Sequence, residues 1–156
     1  MSIQPGRLTV DNQQSLVVFL VGARINKWWL LPLSLPILIK MQSMLNELKK
    51  DPDSGFLGMM GGGAVSIQYW KSVEHLEAYA LDREKTHKPT WALYFKKLFT
   101  NQAIGIWHET YLVEGGNYES IYTNMPAHGL GTIKPLISAE GPRKTLRKRL
   151  KMPASG

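Results

Sequence analysis

The spacing of apolar positions changes several times along the chain, and each change predicts an element. Leu16 to Asn26 (LVVFLVGARIN) is a β-branched run that closes on polar groups and predicts a buried strand. Trp28 to Pro36 is greasy but broken by Pro32 and Pro36, which predicts an irregular lead into a helix. From there Ile37, Met41, Met44, Leu45 and Leu48 recur at spacings of three and four, giving one apolar helical face. Lys49, Lys50 and the Asp51–Gly55 breaker end it. Phe56–Met60 and Ala64–Trp70 predict two short strands joined through Gly61-Gly62-Gly63, with Val65, Ile67 and Tyr69 on one side of the second.

Ser72 is a suitable N-cap with Glu74 in the first turn, so a helix is predicted from there to about Thr86. Pro89 opens a second helical segment whose buried face carries Trp91, Phe95 and Leu98. Ile104–Val113 (IGIWHETYLV) predicts a further strand, Gly115-Gly116 a turn, and Tyr118–Asn124 a strand or extended arm. The order strand, helix, strand, strand, helix, strand is the ferredoxin-like split βαβ arrangement of an α+β domain, with two helices over one face of an antiparallel sheet. The boundaries read as an N-terminal arm over 1–15, the α+β domain over 16–126, and a C-terminal extension over 127–156. Two helices cannot cover both faces, so a homodimer that buries the second face against its twin is expected. The same reasoning places a ligand pocket between the two sheets.

Composition narrows the function classes. With 156 residues and 44% hydrophobic content the chain can bury a sizeable core without staples. It has no cysteine, which excludes disulfides, thiolate metal sites and a cysteine nucleophile, and is compatible with a cytoplasmic location. The net charge of +7 is concentrated at Arg143, Lys144, Arg147, Lys148, Arg149 and Lys151, a run that reads as a solvated, mobile tail. The body lacks a basic stripe interleaved with exposed aromatics, so no nucleic-acid partner is expected. Residues 1–15 hold no signal core, and Trp28–Ile39 falls short of a membrane span, so burial in the domain core is expected for it.

Candidate chemistry lies with a few side chains. Alternation puts Ile104, Ile106, His108 and Thr110 on one side of their strand, with Glu109 and Tyr111 on the other. His108 is therefore either a satisfied core histidine or a pocket base, and a ligand if a metal or haem is present. His87, beside the Pro89 break, either complements a helix C-terminus or serves a junction cavity. Arg24 and Asn26 end the first strand opposite Val17, Phe19 and Val21. A face carrying Arg24, Gln68, Trp70, Glu109 and Tyr111 suits either a wet dimer interface or the wall of a pocket for a planar organic molecule. No metal spacing, phosphate loop, nucleophile elbow or dinucleotide fingerprint occurs in the sequence.

The stretch VSIQYWKSVEHLEAY (Val65–Tyr79), with VVFLVGARINKWW, GIWHETY and YESIYTNMPAHGLG, resembles an uncharacterised monooxygenase-like family. That family is related to a fumagillin-pathway monooxygenase and lies near the antibiotic biosynthesis monooxygenases of the dimeric α/β-barrel superfamily. The resemblance runs from about Leu8 to Arg149. It implies a homodimeric barrel acting in secondary metabolism, and oxidation of an aromatic or polyketide-type metabolite by dioxygen without flavin, haem or metal. Trp70 matches the tryptophan that ends the third strand of the better understood relatives. On this reading His108 or His87 is the base, Arg24 steadies the developing oxyanion, and Trp70, Tyr111, Gln68, Glu109 and Asn26 contact the substrate. Two alternatives stay open: a haem-binding barrel with His108 or His87 as axial ligand, and a non-catalytic carrier of a small hydrophobic molecule.

Overall fold

The structure is a computed structural model describing residues 2–62, 64–82 and 87–150, with the side chains of 87–89 outside that description. The predicted βαββαβ order is present. Strand β2 (Leu16–Ile25), helix α1 (Leu31–Leu48), strands β3 (Phe56–Gly62) and β4 (Val65–Trp70), helices α2 (Val73–Leu81) and α3 (His87–Tyr94), and strand β5 (Ile104–Val113) follow in turn. The strands form one fully antiparallel sheet in the order β3-β4-β2-β5. This is the ferredoxin-like arrangement, with the helices over one face.

Two clusters hold helices to sheet. Ile37, Tyr94, Leu98, Ala103 and Ile104 form one, and Val17, Leu48, Trp70 and Tyr79 the other. Leu98 sits in a π-helical turn, Phe95–Phe99, that extends α3 and turns this residue fully inward. Helix α1 starts earlier than the prolines predict. Pro32 falls in its first turn, where the missing N–H has no helical partner anyway. Pro36 lies inside the helix and forgoes only the bond to the Pro32 carbonyl. Helix α2 closes at Leu81, and the predicted extension over 83–86 lies outside the described residues. Ser72 does hold the N-cap position, but its hydroxyl pairs with His75 Nδ1 at 2.9 Å instead of capping a backbone amide.

A second, three-stranded sheet was not expected from the sequence. Strand β1 (Gln4–Val10) lies between β6 (Tyr122–Met125) and β7 (Leu136–Ser138), antiparallel to both. The arm over 1–15 thus contributes a strand, and the predicted 118–124 element shortens to β6. In the basic tail Arg143, Lys144, Arg147 and Lys148 are exposed, as a solvated run should be, but Arg149 is not. Arg149 closes the short helix α4 (Leu146–Arg149) and is buried: its Nε donates to Glu119 Oε2 at 2.7 Å, and Nη1 donates to the carbonyls of Arg143 and Lys144 at 3.0 and 3.1 Å. Asn12 Nδ2 reaches the Arg149 carbonyl at 2.8 Å and that of Tyr118 at 2.7 Å. Of the tail cations, Lys151 lies outside the described residues.

The expected burial of Trp28–Ile39 is also overturned. Trp28 and Trp29 form a short 3-10 turn and are 67% and 74% exposed, while Ile37 alone in the stretch is a buried hydrophobic. By length and composition alone Trp28–Leu48 could cross a membrane. Its inner face, however, carries Ile37 and Leu48 into the two core clusters.

Candidate functional site: a helix-roofed cavity

Register fixes which side chains share a face, because residues directly opposite across antiparallel strands point the same way. Val21 lies opposite Ser66 on one side and His108 on the other; Phe19 lies opposite Gln68 and Thr110; Val17 lies opposite Trp70 and Leu112. All of these project toward the helices. The opposite face carries Leu20, Gly22 and Arg24 with Ile67, Tyr69, Trp107, Glu109 and Tyr111.

The expected composite face therefore divides. Gln68 and Trp70 keep company with His108, whereas Arg24, Glu109 and Tyr111 stand on the far side. Alternation along a strand assigns odd and even positions to opposite sides, but it does not say which parity of one strand meets which parity of the next. Here the even positions of β4 and β5 meet the odd positions of β2.

Between the helix-facing side and its roof lies a cavity of about 830 Å3. Its floor is Phe19, Val21, Ser66, Gln68, Ile106 and His108, and its roof draws on Met41 and Met44 of α1, Tyr79 of α2, and Trp91 and Tyr94 of α3. The pocket is thus inside one subunit, under the helices. This cavity lies on the helix side of the sheet, not on the open face where a pocket between two sheets is expected.

Polar groups on this floor form two banks separated by Phe19 and Val21, about 10 Å apart from strand spacing alone. On one bank Trp70 Nε1–H donates to Gln68 Oε1 at 3.1 Å, and Gln68 Nε2 donates to Ser66 Oγ at 3.4 Å. An indole N–H can only donate, so it fixes the Gln68 amide with oxygen toward Trp70 and nitrogen away from it. Gln68 therefore offers N–H, not carbonyl oxygen, along the cavity wall. Trp70 is fully buried, edge-on to Phe56 at 5.4 Å and tilted against Tyr79 at 5.9 Å between ring centroids. Burial pushes the Tyr79 hydroxyl well above the ordinary tyrosine range, with Glu47 adding to the shift, so this roof phenol stays protonated. On the other bank His108 lies 5.5 Å from the Phe19 ring on β5, one of the sheet's two edge strands; it is exposed at the rim of the cavity, so the reading of a buried core histidine does not hold.

Other predicted site residues fall elsewhere. Arg24 is exposed, away from the cavity, so it cannot steady an oxyanion inside it. Asn26 closes the β2 end by donating to the Gln102 carbonyl at 3.3 Å. Tyr111 donates to Glu109 Oε2 at 2.5 Å on the open face, and that carboxylate raises the tyrosine pKa. His87 begins α3, with its side chain outside the described residues. Phe19, Tyr79, Trp91 and Tyr94 were missed as cavity residues; Phe19 lies in a predicted buried strand and Trp91 on a predicted buried helical face, but Tyr79 and Tyr94 carried no such prediction, and Phe95, expected on that face, is exposed while Tyr94 takes the inward place. Among the described residues no group of three His, Asp or Glu could hold a metal ion.

The open face is partly sealed by the chain itself. Gly129 packs against Met60 and Tyr69, and a Cβ at Gly58 would lie 2.5 Å from Ile133, so residues 129–133 cover the β3 side. Toward β5, Trp107 lies across Gly22, where a Cβ would come within 2.6 Å of the indole, and both Trp107 and Tyr111 remain exposed.

Sheet order and cavity together define an α+β chain of ferredoxin-like fold with a partly open, largely apolar cavity between sheet and helices. The chain belongs to the Monooxygenase af470-like family, whose profile matches residues 16–130. It is 38% identical over 68 residues to Monooxygenase af470 of Aspergillus fumigatus, a match that covers 40% of this chain and 22% of that protein. Among solved structures it is similar to aldoxime dehydratase (OxdRE) in complex with butyraldoxime, at a TM-score of 0.64 and 19% identity over 77% of this chain and 37% of that one. It also resembles a dimeric protein of unknown function and ferredoxin-like fold from Bacteroides fragilis, at a TM-score of 0.44 and 10% identity, covering 62% and 95% of the two chains.

Proposed function

We propose that the protein is a monooxygenase-type enzyme that oxidises an aromatic or polyketide-type metabolite held in the helix-roofed cavity, with no resident cofactor. The observation that carries this reading is the pairing of a large apolar chamber with two polar banks, His108 on one and the donor pair Gln68–Ser66 on the other. A flat ring system lies over Phe19 and Val21. Its ring oxygen accepts a hydrogen bond from Gln68 Nε2, and His108 removes the acidic proton. The resulting anion gives an electron to dioxygen; recombination forms a hydroperoxide that loses water to leave a quinone. Only the deprotonated ring is electron-rich enough for the first transfer, so the base sets the rate. Trp70 acts as a positioning residue, holding Gln68 in its donor orientation.

Oxygen uptake with anthrone- and naphthol-class phenols tests this. His108→Ala is expected to lower kcat roughly 100- to 10,000-fold, the usual worth of a placed base, while Gln68→Leu acts mainly on KM. Unchanged turnover in His108→Ala removes the base, and absence of uptake by the unaltered protein leaves a carrier of hydrophobic molecules. A second reading is favoured by His108 itself, an imidazole on the wall of an apolar chamber, which is a donor set that fits haem. His108 would then hold the haem iron, which would supply redox or Lewis-acid chemistry when bound. A Soret band that appears with haemin and is lost in His108→Ala supports haem; no band rejects it. We also propose that a second copy covers the Leu20–Trp107–Tyr111 side of the open face, in a homodimer. A monomer mass in sedimentation equilibrium would contradict this, and a cytoplasmic location remains part of the proposal.

A further inference from the structure

We infer that the end of the molecule built from the start of α1 and the π-helical turn after α3 docks on an anionic lipid surface. Trp28, Trp29, Leu35, Ile39, Phe95 and Phe99 are all exposed, at roughly half or more of their full surface. They belong to one end of the fold. Asn26 and Lys27 donate backbone N–H groups to the Ala103 carbonyl at 2.9 and 3.3 Å, Lys27 Nζ reaches the Asn101 carbonyl at 2.7 Å, and Leu30 packs on the cluster that contains Leu98. Several large apolar side chains exposed at one end of a folded domain mark an interaction site.

Charge selects the partner. No Asp or Glu occurs between Asp11 and Glu47, or between His87 and His108, and the cations in those stretches include Arg24, Lys27, Lys40, Lys96 and Lys97. Lys40, Lys96 and Lys97 are exposed. Two copies meeting through this patch would bring like charges together, whereas an anionic membrane supplies the complement. Tryptophan adds a second preference, since its amphipathic ring settles at the headgroup level. The outer face of α1 also changes along its length, from exposed Leu35, Pro36 and Ile39 to exposed Gln42, Ser43 and Asn46. That gradient limits insertion to the first turns and gives shallow docking, not a span. Spanning would also strip Ile37 and Leu48 from the core clusters. Leu38 and Ile39 border the cavity as well, so a docked molecule holds its chamber beside the lipid, where a hydrophobic guest partitions.

Flotation of the full chain with vesicles of phosphatidylcholine, alone or mixed with phosphatidylserine, tests the inference independently of any turnover. Binding is expected to the mixed vesicles and to weaken as salt rises. Trp28→Ser with Trp29→Ser should lower it tenfold or more. Lys96→Gln and Lys97→Gln should each lower it roughly fivefold, from the worth of one cation near an anionic surface. Circular dichroism and the urea midpoint confirm that these exposed positions leave the fold intact. No binding to either vesicle overturns the proposal, as does equal binding to neutral vesicles that ignores the lysines. A patch covered by a second copy would appear instead as a dimer that dissociates in the Trp28→Ser, Trp29→Ser variant, and that result overturns it too.

Discussion

Trp70→Ala is expected to destabilise the protein by about 3–5 kcal/mol, the usual penalty for emptying a buried aromatic site. The indole is fully buried at the end of β4, wedged between Phe56 and Tyr79 in the cluster that also contains Val17 and Leu48. Against a total stability of about 5–15 kcal/mol for a domain, such a loss is large. Trp70→Phe separates packing from hydrogen bonding. It keeps most of the ring but removes the N–H, so Gln68 Oε1 loses its partner at a cost of about 1–3 kcal/mol. Urea denaturation of the two variants measures both. The phenylalanine variant should also weaken substrate binding, because nothing then holds the amide in one orientation. Equal stability of Trp70→Ala and the unaltered protein would show that the cavity is not closed at this end.

Arg149→Ala is the second large expected effect, about 3 kcal/mol, because it leaves the half-sheltered Glu119 carboxylate without its partner. The guanidinium also donates to the carbonyls of Arg143 and Lys144, so three hydrogen bonds are lost at once, although the Lys144 carbonyl keeps Arg7 Nη1 as a donor at 3.0 Å. Arg149→Lys should recover only part of the loss, since an ammonium supplies charge without the planar fork. The affected region is the small sheet, not the cavity. Amide exchange is therefore expected to rise at Gln4–Val10 and Leu136–Ser138 before it rises at Leu16–Ile25. Uniform loosening of both sheets would indicate that the two unfold as one unit.

Much of the main sheet was legible because its strands are apolar runs bounded by polar or glycine breaks, as at Leu16–Asn26 and Ile104–Val113. The small sheet was not. β1 reads QPGRLTV, with a proline and a glycine in its first half, and pairs with residues more than 100 positions away. Periodicity within a window holds no information about such partners. The site was half legible for a similar reason. His108 was correctly placed apart from Glu109, since both belong to one strand. Joining Gln68 and Trp70 to Arg24 required knowing which parity of β4 faces which parity of β2, and that depends on hydrogen-bond register. Trp28 and Trp29 misled in the opposite direction: hydrophobicity alone implies burial, but their place at a helix tip turns them outward.

The family likeness stops at residue 130, while β7 and α4 follow it and β1 precedes it. A chain trimmed to the matched stretch would keep Tyr122–Met125 but discard the strand it pairs with. Its bare N–H and C=O groups would form an unprotected edge, the usual template for strand-to-strand aggregation. The recognisable unit and the folded unit are therefore of different lengths.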